Sequence, residues 1–315
     1  MHQPQPLPPA LRSRPFAVGE AFRASVGPGR LRAGDLRAPF RGVREPSDAE
    51  ITLLSRCAAL NTRMPPAEAF SHTTAALLLG LPLPLRLSRP DVLHLSVPRP
   101  NRTPRIRGVI GHQPALRDGD VVESAGFRVT SPARTWCDLA PHLSVAELVA
   151  VGDAIVHWRR PRASVAELSC AAARLRGRPG ASVALAAGGL LHERSESPQE
   201  SELRVRFVQG GLPRLDVNVD LRDRHGRFVA RPDLRFPEFR VIVEYEGDHH
   251  RTARTQWRRD LKRTIALQGM GETVLRLGAD DLTPGTVDIV GDVLRQRGWS
   301  SFASRRRQPG RVGGS

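Results

Sequence analysis

The chain is almost without lysine: it carries 48 basic residues against 32 acidic ones, and only Lys262 is not arginine. Arginine's planar fork binds two oxygens at once and does not deprotonate, so such charge suits phosphate. An Ala-, Gly-, Pro- and Arg-rich composition is also what a GC-rich genome produces. The formal net charge of +16 is therefore an electrostatic footprint compatible with nucleic acid, and it specifies neither fold nor reaction. Cysteine is scarce too. Cys57, Cys137 and Cys170 are odd in number, widely spaced and form no CxxC pair, which argues against a disulfide framework and a thiolate metal site and fits a reducing cytoplasm. One tyrosine and four tryptophans are a poor supply for the sugar-stacking groove of a glycoside hydrolase working with paired carboxylates. No segment approaches about 18 uninterrupted apolar residues, and the start MHQPQPLPPALRSRP has no apolar h-region. The expectation is a cytoplasmic protein with no membrane partner.

At 315 residues the chain has room for about two domains with real cores. Residues 1–15 are proline-rich and are expected to form a disordered arm; residues 301–315, SFASRRRQPGRVGGS, are expected to be a basic disordered tail. From 16 to 45 the pattern is a short helix, a Gly-Pro-Gly turn, a second basic short helix and a strand. That is the order of a helix-turn-helix with a wing, although any two short helices around a glycine turn share it. Residues 46–190 form an α+β middle region. In it SHTTAALLLGLPLP is a short buried helix starting at Ser71, with His72 expected as a surface or capping residue. The runs DVLHLSV, RGVIGHQ and VVESAGFRVT read as strands. The pentapeptide SVAEL occurs at 144 and again at 164, each time with the serine-to-glutamate spacing of a capping box.

Composition changes near 190, and residues 195–300 read as a domain of their own. SPQESELRVRFVQGGLP is a helix capped by Ser197, with Pro198 in its first turn and a Gly-Gly stop. LDVNVDL, FVARPDLRF and RVIVEYE alternate as strands. A helix follows with Trp257, Leu261 and Ile265 as its core face, and the strand TVLRL closes the unit, giving a mixed α/β order.

The stretch RPDLRFPEFRVIVEYEGDHH gathers carboxylates around a strand. Glu244 and Glu246 are two residues apart and project from one face, with Cα atoms roughly 7 Å apart. A turn centred between Pro237 and Glu238 sets Asp233 opposite Ile242 on that face, roughly 7–8 Å from its diagonal neighbour Glu244. Three acids gathered there raise one another's pKa and destabilise the fold unless a cation intervenes. A hard divalent ion such as Mg²⁺ is one candidate, since it takes oxygen ligands. Ion pairs with Arg231, Arg235 or Arg240 are the other.

These residues, over 195–282, resemble the PD-(D/E)xK nuclease superfamily, in the branch related to very short patch repair endonucleases. The resemblance rests on Glu200 in the first helix, the Pro-Asp pair at Asp233, Glu-Tyr-Glu at Glu244 and Glu246, the pair His249 and His250, and RRDLKR in the next helix. It implies a restriction-endonuclease-like mixed sheet flanked by helices, and Mg²⁺-dependent (or Mn²⁺-dependent) hydrolysis of phosphodiester bonds in nucleic acid, DNA first. Asp233 and Glu244 would hold the metal, Glu246 would orient or deprotonate water, and Glu200 would add a ligand unless it serves only its helix cap. His249 or His250 would protonate the leaving oxygen or touch phosphate, and Arg254, Arg259 and Arg263 would contact phosphates. The departure is Glu246 itself, which stands where the superfamily has lysine; Lys262 lies on the next helix. A homodimer would supply one active site per strand. Residues 46–190, with FRGV upstream, resemble AbiEi-type antitoxin-like proteins, which implies the alternative of a non-catalytic DNA-binding regulator.

Overall fold

In this computed structural model residues 4–88, 91–247, 254–283 and 285–300 are described, with 254–261 described by backbone alone. The chain is mixed α/β and divides into two compact units, residues up to 142 with 170–181, and 143–169 with 182 onward.

The first unit opens with β1 (Phe16–Ala17), α1 (Val18–Arg23), β2 (Leu36–Arg37) and β3 (Val43–Pro46), the strands pairing antiparallel in the order β1-β3-β2. Two expectations change here. The segment read as a second basic helix is one 3-10 turn, Arg30–Arg32, between Gly27-Pro28-Gly29 and Gly34, which deny it further helical residues. The proline-rich start is ordered from residue 4: Leu7 and Leu11 are buried with Phe16, Ala21, Val26 and Leu31. Two leucines spaced by four residues reach this small core despite the prolines around them. The tail from 301 to 315 lies outside the described residues.

The rest of this unit comprises α2 (Leu53–Asn61), β4 (Ala69–Phe70), α3 (His72–Leu78), β5 (Leu93–Ser96), β6 (Val109–His112), β7 (Val121–Ser124), β8 (Phe127–Thr130) and α4 (Pro132–Leu139). The five strands form one mixed sheet, β6-β5-β4-β8-β7, with β5–β6 and β4–β8 parallel.

Next come α5 (Val145–Val156), α6 (Val165–Ala173) and α7 (Ala181–Gly188). The SVAEL repeat behaves as its chemistry requires. Ser144 Oγ accepts from the N–H of Glu147, whose carboxylate accepts from the N–H of Ser144, and Ser164 and Glu167 repeat the exchange.

The second unit then builds α8 (Pro198–Gln209), β9 (Asp216–Val217), β10 (Leu221–Arg222), β11 (Phe228–Ala230), β12 (Leu234–Phe236), β13 (Val241–Tyr245), α9 (Arg254–Gly269), β14 (Thr273–Leu277) and α10 (Gly285–Gln296). Its main sheet is β14-β13-β12-β9, with β13–β14 parallel and the other pairs antiparallel; β10 and β11 form a separate hairpin. Two of the expected strands are each broken in two. Asn218, at φ +48, ends β9, and Pro232, which has no N–H to give a ladder, separates β11 from β12.

β13 is apolar on both faces because both faces are covered. Val241 and Val243 pack with Leu203 and Phe207 of α8 and Val290 and Leu294 of α10, while Ile242 packs with Ala230 and with Leu267 of α9. Each such side chain contributes about 1.5–3 kcal/mol on burial. On α9 one member of the expected core face is corrected, since Ile265 is 58% exposed and Leu267 is buried; the side chains of Trp257 and Leu261 lie outside the described residues. Recurrence every four residues drifts around a helix of 3.6 residues per turn, so the spacing alone misjudged which side faces the sheet. Helix α8 is also pinned to α5. Asp153, fully buried, accepts from Arg204 at 2.8 Å, from Ser201 Oγ at 2.7 Å and from the N–H of His192 at 2.7 Å. Removing one partner of such a pair strands a buried charge.

Phe207 meets Phe236 with ring centroids 6.0 Å apart, and both are fully buried. Phe207→Ala is expected to destabilise this unit by about 3–5 kcal/mol, lowering its urea midpoint without changing the slope. A shift below about 1 kcal/mol would mean that this packing of α8 on the sheet is wrong.

Candidate functional site

The hairpin of β12 and β13 decides where the acids fall. Leu234 pairs with Val243, Arg235 with Ile242 and Phe236 with Val241, so the turn holds four residues, Pro237 to Arg240, with Arg240 at φ +53. The expected two-residue turn is therefore wrong, and the register moves by two. Because side chains alternate with period two, that shift preserves faces. Asp233 now sits next to the end of β13 instead of opposite Ile242, and its Oδ2 accepts from the N–H of Tyr245 at 2.8 Å.

Asp233 is the most perturbed acid of the group. Burial pushes its carboxyl from the ordinary 3.8 up to about 7; Glu200 and Glu244 push the same way, while the Tyr245 N–H and Arg263 pull back. Glu200 and Glu244 are thus both close enough to Asp233 for their charge to act on it. Glu200 is buried in the first turn of α8, where its N–H donates to Ser197 Oγ at 3.2 Å. Its carboxylate does more than cap: Oε2 accepts from the N–H of Glu196 at 3.0 Å and from Nδ2 of Asn218 at 2.6 Å.

Asn218 is the residue that sequence reasoning missed. Its N–H donates to the carbonyl of Asp233 at 3.0 Å while its side chain holds Glu200 and the carbonyl of Arg194, so one asparagine ties the two acids together. The only signal for it was the residue type, because asparagine tolerates the left-handed backbone that this corner demands.

The arginines expected to neutralise the acids go elsewhere. Arg231 pairs with Asp220 at 2.7 Å, Arg235 with Glu272 at 2.7 Å, and Arg240 lies against Gly271. Two others take their place. Arg263, on α9, donates to Glu244, and Arg276, on β14, sits 3.1 Å from Glu246. Glu246 follows the last residue of β13, is half exposed, and is held on the Arg276 side. Arg263 therefore meets a carboxylate in this state. Lys262 is exposed on α9. His249 and His250 lie outside the described residues, and the side chains of Arg254 and Arg259 fall in the stretch described by backbone alone.

Glu200, Asp233 and Glu244 offer only hard oxygen donors, and neither Asp233 nor Glu200 has an ion-pair partner among the described residues. Oxygen donors are the type that Mg²⁺ or Mn²⁺ takes, but the ligand atoms of the three acids do not all lie within 4.8 Å of one another; among the described residues only those of His72, His94 and His112 do. Beside it, Trp158 is 41% exposed and ringed by guanidinium groups: Arg159 at 4.7 Å, Arg194 at 5.5 Å and Arg231 at 6.0 Å from the ring centroid. Arg194 is the residue whose carbonyl Asn218 holds, which connects this aromatic patch to Glu200.

In the other unit His72 departs from its expected surface role. It is buried, and one ring nitrogen each of His72, His94 and His112 lie within 4.8 Å of one another. Sequence spacing could not reveal this set, since its members come from α3, β5 and β6.

No helix among the described residues is long and apolar enough to cross a membrane. No family model matches the chain. It is 30% identical over 234 residues to the uncharacterized protein MT2308 and to the uncharacterized protein Rv2248, from two strains of Mycobacterium tuberculosis, covering 74% of this chain and 82% of either relative. The crystal structure of the RV2827C protein from Mycobacterium tuberculosis matches 62% of this chain and 76% of its own, with a TM-score of 0.39 at 18% identity, too loose a likeness to carry weight. With nearly a third of positions identical across most of both chains, this protein belongs to the same family as the mycobacterial proteins MT2308 and Rv2248.

Proposed function

We propose that the chain is a metal-dependent endonuclease of the PD-(D/E)xK type, hydrolysing phosphodiester bonds in nucleic acid, with DNA as the first substrate to test. The observation that carries this reading is the convergence of Glu200, Asp233 and Glu244 at the end of β13, with Asp233 pushed to about 7 and no cation paired to it among the described residues. A buried acid raised by burial and by two neighbouring carboxylates, with no ion-pair partner of its own among the described residues, is a place where a cation would be favoured. A bound Mg²⁺ would polarise the scissile phosphate and acidify a water. The chain's own groups supply the rest. Asp233 and Glu244 would hold the ion, with Glu200 as a further oxygen donor, and Asn218 ties the Glu200 carboxylate to the backbone of Asp233, so that a small closing movement would complete the set. Glu246, in the position of the superfamily's lysine, would take the proton of the attacking water once released from Arg276. Arg263 would leave Glu244 for a phosphate when the ion takes its carboxylate. Trp158 and its arginines give a surface on which a base can stack and its phosphates can be held.

The two ion pairs, Arg263 with Glu244 and Arg276 with Glu246, favour a second reading. In it the acids are structural, and the protein is a non-catalytic DNA-binding regulator of antitoxin type. Cleavage separates the two. Plasmid and short duplex DNA should be nicked with Mg²⁺ or Mn²⁺ and not with EDTA. Asp233→Ala or Glu244→Ala should lower the rate by about a hundredfold or more while leaving DNA affinity close to that of the parent. Salt-sensitive binding without metal-dependent cleavage in the parent would move the assignment to the regulator.

The raised value of Asp233 gives a second expectation. A carboxyl whose folded value lies above its ordinary one stabilises the fold in its protonated form, and that contribution is lost as pH rises from about 4 through about 7. In the absence of divalent ions, Asp233→Asn should raise the melting temperature over the parent at about pH 8 and change it little at about pH 4. Equal shifts at both pH values would contradict the burial of this acid.

A further inference from the structure

The unit that the carboxylates do not use has its own cluster of ligand-type side chains, on two adjacent strands of its sheet and the helix beside them. His94 and Ser96 of β5 share a face with His112 of the parallel neighbour β6, where Ser96 is in register with His112. His72 is the first residue of α3. The backbones are tied directly: the N–H of Ser71 donates to the carbonyl of His94 at 3.0 Å, the N–H of Val97 to that of His112 at 2.8 Å, and the N–H of His94 to Thr74 Oγ1 at 2.9 Å. Nδ1 of His94 and Nε2 of His112 are 2.9 Å apart, and the rings of His72 and His112 stack with centroids 3.6 Å apart. The fold therefore brings three imidazoles together, where three separate surface positions would have cost nothing.

Several features are unexplained by packing alone. His72 holds φ at +52, a left-handed conformation that few residues other than glycine adopt and that persists where the surroundings require it. Its Nδ1 lies 3.0 Å from Ser71 Oγ; an N–H donated there leaves the Nε2 lone pair unprotonated, the arrangement that orients a ligating histidine. Ser96 Oγ is fully buried on the same sheet face and has no hydrogen-bond partner among the described residues. Burial, reinforced by the neighbouring histidines, disfavours the charged form of all three rings.

We propose that His72, His94 and His112 form a binding site for a borderline divalent transition-metal ion, with Zn²⁺ as the type case, leaving one coordination position for water or for His142. The donor chemistry chooses this class. Three uncharged nitrogens suit Zn²⁺ and its neighbours and offer nothing to Mg²⁺ or Ca²⁺, which take oxygen. His142 is the natural fourth group: its ring centroid is 6.3 Å from that of His72, and its carbonyl accepts from Arg86 at 3.3 Å. Ser96 Oγ, on the same face, is placed to accept from a coordinated water. The site is distinct in chemistry from Glu200, Asp233 and Glu244 and does not depend on the nuclease reading.

The test uses the full chain, stripped with a chelator and titrated with Zn²⁺, then with Co²⁺ for its visible absorption. One equivalent should bind with the intense spectrum of a low-coordinate site, and any further equivalent taken by the carboxylates should add only the weak absorption of oxygen ligation. His94→Gln and His112→Gln should each weaken Zn²⁺ by about a hundredfold or more, and Asp233→Asn should leave the Co²⁺ spectrum unchanged. Melting temperatures in chelator check that the variants fold. Should a variant not fold, the unsubstituted chain decides. Zn²⁺ should protect His72, His94 and His112 from modification by diethylpyrocarbonate, read by mass spectrometry. Failure to bind one equivalent, a Co²⁺ spectrum that survives His94→Gln and His112→Gln, or protection confined to other histidines would overturn the site.

Discussion

Like charges do not gather in a protein interior without a reason, and the second unit is organised around a place where they do. Glu200 comes from the start of α8, Asp233 from the residue before β12 and Glu244 from the end of β13. Each arrives by a different structural device. A serine cap fixes the first turn of α8, a proline break positions Asp233, and an apolar strand covered on both faces carries Glu244 to its end. The buried Asp153–Arg204 pair and the aromatic packing of Phe207 hold α8 in place. The stability of that core offsets the cost of burying Asp233 beside Glu200 and Glu244.

The chain keeps two kinds of ligand chemistry apart. Oxygen donors lie in one unit and imidazole nitrogens in the other, and no cysteine joins either group among the described residues. Burial acts on both sets in opposite senses: it raises the Asp233 carboxyl to about 7 and lowers the His72 and His94 rings to about 2 and about 4. Arg263 and Arg276 screen Glu244 and Glu246; the Arg276–Glu246 pair is about half exposed and worth little, whereas the Glu244 side chain is only 13% exposed.

Much of this was legible in the sequence where the signal is local. The Ser197 cap, both SVAEL capping boxes, the α/β order after 195 and the shared face of Asp233 and Glu244 all follow from residue types and short spacings. What could not be read depends on tertiary context. The four-residue turn shifted the register, Leu267 instead of Ile265 faces the sheet, and Leu7 and Leu11 are buried in a segment whose composition suggested disorder. Asn218 and the histidine set were invisible for the same reason: their partners are distant in sequence, and a lone Asn or His in a strand carries no mark of its neighbours.

The central claim is that Glu200, Asp233 and Glu244 form a site that needs a hard cation. Calorimetric titration of the chelator-stripped protein with Mn²⁺ in buffers of different ionisation enthalpy measures binding and proton release together. With Asp233 at about 7, binding at about pH 6 should release close to one proton, and the release should vanish at about pH 9. Absence of Mn²⁺ binding, or binding with no proton release at either pH, would contradict the claim and leave the acids as partners of Arg263 and Arg276.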